Sequence, residues 1–106
     1  MSGLRVFVCS NTHWDREWHT PFRVFQARLV QLFDLLLPLL RRDAAYRVFN
    51  LDGQTIVLED ILDMRPDLVE ELRALIAAGR ITIGPWYVMP DEFLPSGEAL
   101  IRNLLM

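Results

Sequence analysis

Val8 to Thr20 reads VCSNTHWDREWHT, and the structure on either side of it decides the fold. Just upstream, Leu4, Val6 and Val8 alternate with Arg5, Phe7 and Cys9, which predicts a short buried strand. Just downstream, Thr20-Pro21 pairs a capping hydroxyl with a proline suited to the first helical position. The polar cluster between them therefore belongs to a loop joining a strand end to a helix start. In parallel α/β folds, ligands bind on such loops.

The cluster contains His13, Asp15, Glu17 and His19. An imidazole and a carboxylate two residues apart reach one point when the backbone between them is extended or turning, and both suit a borderline metal such as zinc. Trp14 and Trp18 add flat apolar faces that match the C–H surface of a sugar ring. The plainer alternative is that the histidine caps a turn, the aspartate caps the next helix, and both tryptophans pack beneath the loop.

Downstream, apolar residues at three- and four-residue spacing from Phe22 to Leu40 predict a helix from Pro21 to about Arg42. Leu35 and Leu37 widen its stripe, so it should be covered on more than one side. Pro38 should kink it or loosen its last turn. Asp43-Ala44-Ala45 reads as a turn and Tyr46–Leu51 as a second strand. A helix between two strands makes a βαβ crossover with parallel strands.

Asp52-Gly53-Gln54 ends that second strand. Asp52 either faces the same side as His13 or caps the next helix, with Gly53 supplying the turn. A short helix is expected over Thr55–Asp63. Another opens at Pro66 and closes on Gly79 as a left-handed cap. Ile81–Gly84 reads as a third parallel strand. An irregular segment follows with Trp86, Tyr87, Asp91 and Glu92, pocket-type residues on such a loop. Ser96, with Glu98 behind it, starts the last helix.

The 106 residues suffice for one small domain, and 52% of them are hydrophobic, as in a globular chain. The net charge of −3 is too mild for a nucleic-acid or anionic-membrane partner. Every basic residue is an arginine, and the arginines are scattered. The single cysteine, Cys9, excludes an internal disulfide and reads as a small buried strand residue. The start MSGLRVFVCS runs straight into the first strand, too short for a signal core. The apolar run Leu35–Leu40 is broken by Pro38, so no membrane span is expected. A cytoplasmic location follows by default. The last helix reaches Leu104-Leu105-Met106 without a terminator, which reads as a truncated chain.

NTHWDREW resembles the N-terminal signature of glycoside hydrolase family 38, the zinc-dependent α-mannosidases, whose first strand leads into H-[ST]-H-x-D-x-x-W. His13, Asp15 and Trp18 match its second histidine, aspartate and tryptophan; Asn11 replaces its first histidine. D-G-Q at 52–54 and W-Y-x-x-P-D-E-x-x-x-S-G-E-x-x-x-R-N from Trp86 extend the likeness along the chain. The resemblance implies that His13 and Asp15 are two zinc ligands and that Trp18 stacks in the substrate pocket. It also implies that residues 1–106 form the N-terminal segment of a seven-stranded β/α-barrel catalytic domain, three parallel strands with their helices. The nucleophile, in a P-D-x-F-G motif, and the acid/base would come after Met106, so Asp91 and Glu92 are read as bracing the pocket wall.

On this reading the substrate is an α-mannoside or oligosaccharide, hydrolysed with retention and zinc assistance. These residues alone hold half a metal site and no nucleophile, and are expected to be inactive. A rival reading is a non-catalytic carbohydrate- or partner-binding remnant that stacks ligands on Trp14, Trp18, Trp86 and Tyr87. A polysaccharide deacetylase would carry a D-D pair and an H-x-x-x-H helix, and neither is present. Linkage specificity and oligomeric state are not encoded in any motif.

Overall fold

The structure, a computed structural model, describes residues 3–106. Met1 and Ser2, at the head of the MSGLRVFVCS start, lie outside them. The elements run β1 (Ser10–Asn11), α1 (Phe22–Arg42), β2 (Phe49–Asn50), α2 (Ile56–Met64), α3 (Val69–Ala77), β3 (Ile81–Thr82) and α4 (Gly97–Leu105), with a 3₁₀ turn, Pro66–Leu68, leading into α3. The three strands form one parallel sheet in the order β1-β2-β3. Ser10 pairs with Phe49 and Phe49 with Ile81; Asn11 pairs with Asn50 and Asn50 with Thr82. This is the expected α/β arrangement, with helices crossing between parallel strands.

The core is the helical layer against β2 and β3. Leu29, Phe33, Leu36, Leu37 and Leu40 of α1 pack with Phe49, Leu51, Val57, Ile61, Leu72 and Ile81, all buried. Burial of each such side chain stabilises the fold by about 1.5–3 kcal/mol before the entropy of ordering is counted. The apolar stripe of α1 widens as far as Leu37, but Leu35 faces outward. The helix continues through Pro38 to Arg42, and Asp43 N–H closes its last turn on the Leu39 carbonyl.

Three expectations are corrected. The first strand was expected over Leu4–Cys9, yet pairing begins only at Ser10. The register would bring Val8 N–H to the Tyr46 carbonyl, since strand carbonyls alternate sides along a parallel ladder. That carbonyl accepts instead from Arg80 Nη2 at 2.8 Å. Arg80 also donates to the carbonyls of Leu40, Asp43 and Arg47, fixing the turn after α1. Leu4, Val6, Phe7 and Val8 are exposed and outside the sheet, and Cys9 is exposed rather than buried.

The second correction concerns Thr20, which does not cap α1. Pro21 is the capping residue, in extended backbone, and Thr20 Oγ1 is buried with no hydrogen-bond partner. The third is that β2 and β3 are two residues long, shorter than the apolar runs that announced them.

Other local signals act as read. Gly79 is left-handed at φ +68°; its N–H bonds Ile76 O, and Arg80 N–H bonds Leu75 O. That pattern closes the C-terminus of α3. Ser96 Oγ accepts from Ala99 N–H at 3.2 Å and caps α4. No residue of α4 is buried; Asn103 ties it to the rest by accepting from Tyr87 N–H and Val88 N–H and donating to Val88 O. The unpaired segment before β1 and this loosely held helix open the outline, and the radius of gyration is 15.6 Å against about 13 Å for a compact chain of this length. No helix among the described residues is long and apolar enough to cross a membrane.

Candidate metal and sugar site

The loop after β1 is held down at Trp14. Its N–H donates to Asp52 Oδ2 at 2.6 Å, and its carbonyl accepts from Gln54 Nε2 at 2.9 Å. Its ring meets Phe25 edge-on at 6.0 Å. With Trp14 fixed, its neighbours His13 and Asp15 turn outward together. His13 Nε2 lies 3.6 Å from Asp15 Oδ1. The imidazole side chain is 75% exposed and the carboxylate 37%, so both face solvent.

Asp52 closes the other side of the imidazole, with Oδ1 3.5 Å from His13 Nδ1. Thr55, not Asp52, stands at the start of α2, and no side chain caps it. Asp52 therefore faces His13 and does not cap the next helix. It sits at φ 52°, a left-handed conformation uncommon for a residue with a Cβ, and Gly53 follows at +67°. A methyl group at Gly53 would come within 3.4 Å of Met89 Cε and 3.6 Å of Gly84 O.

Gln54 is the residue that sequence reasoning undervalued. It is buried, donates to Trp14 O and Asp52 Oδ2, and accepts from Met89 N–H at 3.1 Å. One side chain thus joins the loops that follow all three strands. The available signal was a polar residue just after an Asp-Gly turn at a strand end.

The remaining candidates separate. Arg16 turns away to make two bonds to Asp60, at 2.8 and 2.9 Å, and lies over the Phe22 ring. The bond to Asp60 raises the guanidinium further above its ordinary range. Glu17 is exposed, and His19 lies against Phe25 at 5.7 Å. Trp18 is 75% exposed, so it does not pack under the loop as Trp14 does. Trp86 N–H bonds Gly53 O, and the Tyr87 hydroxyl donates to Glu59 at 2.9 Å, which pushes the phenol above its ordinary value. Asp91 and Glu92 are both exposed in a turn, where Asp91 accepts from Phe93 and Leu94 N–H.

The donor set is thus an imidazole nitrogen and a carboxylate oxygen, a combination that suits zinc. Among the described residues no three His, Cys, Asp or Glu side chains are grouped to hold a metal ion.

The sequence profile described as the glycosyl hydrolases family 38 N-terminal domain matches residues 3–106. The chain belongs to glycoside hydrolase family 38. Within and around the family, it is 51% identical over 98 residues to a protein of Halalkalibacterium halodurans provisionally named a mannosylglycerate hydrolase, covering 92% of this chain and 11% of that protein. An α-mannosidase crystal structure from Enterococcus faecalis V583 superposes with a TM-score of 0.88 at 43% identity, over 92% of this chain and 11% of that one. A second family 38 structure from Enterococcus faecalis gives 0.82 at 39% identity, over the same shares. The chain spans about a tenth of the length of these relatives.

Proposed function

We propose that this chain supplies the first part of the catalytic domain of a retaining, zinc-assisted α-mannosidase, with His13 and Asp15 as two of the metal ligands. The observation that carries the reading is their convergence at 3.6 Å on an exposed loop at the carboxyl end of a parallel strand. His13 and Asp15 would hold the zinc ion, which would supply Lewis-acid chemistry to a bound sugar. Asp15 contributes negative charge, His13 a neutral nitrogen, and the exposed face of Trp18 a stacking surface for the sugar ring. Family membership and the mannosidase likeness of the fold support the substrate class. Mannosylglycerate is one α-mannoside to test, given the name of the Halalkalibacterium relative.

The complete site needs two further ligands and a carboxylate nucleophile about 5 Å from a second carboxyl group. Among the described residues no three His, Cys, Asp or Glu side chains are grouped to hold a metal ion, and Asp52, the other carboxylate beside His13, faces Nδ1 with its second oxygen taken by Trp14 and Gln54. We place the further ligands and the nucleophile on later strands of a seven-stranded β/α barrel, of which β1–β3 are the opening part. The exposed residues before β1 and the uncovered apolar side of α4, with Ile101, Leu104 and Leu105, are surfaces such strands would cover.

The test is an aryl α-mannoside assay with added zinc. Residues 1–106 alone should show no turnover. A chain extended through an in-frame P-D-x-F-G motif should hydrolyse the substrate with retention. Turnover by the 106 residues would overturn the half-site account. A second reading, carbohydrate binding without catalysis, draws on the exposure of Trp18; it predicts mannoside binding indifferent to zinc.

A further inference from the structure

We infer that Asp52 is a positioning residue that fixes the tautomer of His13, leaving Nε2 free to take a divalent cation beside Asp15. The inference rests on the metal reading above and adds a residue to it. Its basis is the way the two oxygens of Asp52 are used. Oδ2 receives two donors, Trp14 N–H at 2.6 Å and Gln54 Nε2 at 3.1 Å. Oδ1 is left facing His13 Nδ1 at 3.5 Å.

At 3.5 Å the contact is electrostatic rather than a hydrogen bond, and a carboxylate, which has no donor, favours a proton on the nitrogen facing it. In the neutral imidazole Nε2 then holds the lone pair, on the side where Asp15 stands 3.6 Å away. The opposite tautomer would turn the Nδ1 lone pair onto the Asp52 carboxylate. Asp15 could reward that tautomer by accepting from Nε2–H, so the two carboxylates compete for the proton. Asp52 is the better placed: its side chain is 10% exposed against 37% for Asp15, so water screens it less. It is also held rigidly, by the two bonds to Oδ2 and by its place in the Asp52-Gly53 turn. A second carboxylate or carbonyl behind a metal-binding histidine is the usual way to orient such a ring.

The test begins without metal. The chain has two histidines, so long-range proton–nitrogen NMR, at a pH where both imidazoles are neutral, resolves each tautomer. His13 should carry its proton on Nδ1. Finding it on Nε2 in the unaltered chain overturns the inference, whether or not any variant folds. In Asp52→Asn the amide group can offer a donor to Nδ1, so His13 should shift toward the Nε2–H form while His19 stays unchanged. Zinc affinity in a competition titration should fall by about 10–100-fold. An unchanged tautomer and unchanged zinc affinity in Asp52→Asn also overturn it. Zinc uptake that survives His13→Ala is a separate failure: it removes the metal reading itself, and with it the cation half of the inference.

Discussion

In the core, Leu29, Phe33 and Leu40 of α1 belong to one buried cluster with Val57 and Ile61 of α2, held by shape and burial. At the strand ends, three loops are held by polar side chains instead: Gln54 reaches all three, Asp52 seats Trp14, and Asn103 binds the segment after β3. The two regions fail differently. A core residue lost leaves a cavity whose cost scales with its volume, and the neighbours relax only in part. A lost polar tether strands its partners and frees a loop, so it costs less stability and more geometry. The site is therefore more fragile in shape than the fold is in free energy.

The largest expected effect tests the core. Phe33→Ala should cost about 3–5 kcal/mol in denaturant unfolding, enough to unfold much of a small domain. A cost below that of a rim substitution would erase the contrast. Next comes Gln54→Leu, which keeps the volume but removes three hydrogen bonds. It should cost about 2 kcal/mol and change Trp14 fluorescence, because the Trp14 carbonyl loses its donor and Asp52, which holds the Trp14 N–H, loses the Gln54 amide. Arg16→Ala leaves the buried Asp60 carboxylate without its cation. Because the Arg16 side chain is 44% exposed, the cost should be nearer about 1 kcal/mol and should shrink in salt.

Smaller still is the contribution of Tyr87. Its phenol is raised above the ordinary value by Glu59, so the folded state favours the neutral form. That contribution is complete below the ordinary tyrosine value and is lost as pH rises through the folded one. Phenolate absorbance should show a late-titrating phenol that is absent in Tyr87→Phe. At the bottom of the scale, Trp18→Ala should leave stability within about 0.5 kcal/mol, yet, on the function proposed above, weaken mannoside binding. A large stability loss there would mean that Trp18 packs against protein and not sugar.

The same division governs what could be read from residues alone. Helical periodicity exposed the core: the span of α1 was legible to within a residue, as were the left-handed cap at Gly79 and the hydroxyl cap at Ser96. The pairing of His13 with Asp15 was legible because two residues on one short loop need little help to meet. The extent of the strands was not: all three strands stop at two residues, and the Tyr46 carbonyl just before β2 is bonded by Arg80. No local pattern announces an arginine that reaches back from the start of β3 to the turn after α1. For the same reason, the side chains that join loops distant in sequence, Gln54 above all, showed only as letters in a turn. Asp52 lay between: its two possible roles were visible, and the contact with His13 decided between them.

The account stands or falls on whether His13 and Asp15 hold one ion together. Zinc titration of the chain against a chromophoric chelator, repeated with His13→Ala and Asp15→Asn, tests this most directly. The account predicts one weakly bound zinc per chain, with affinity lost in each variant while circular dichroism is unchanged. Equal zinc affinity in all three proteins would contradict it.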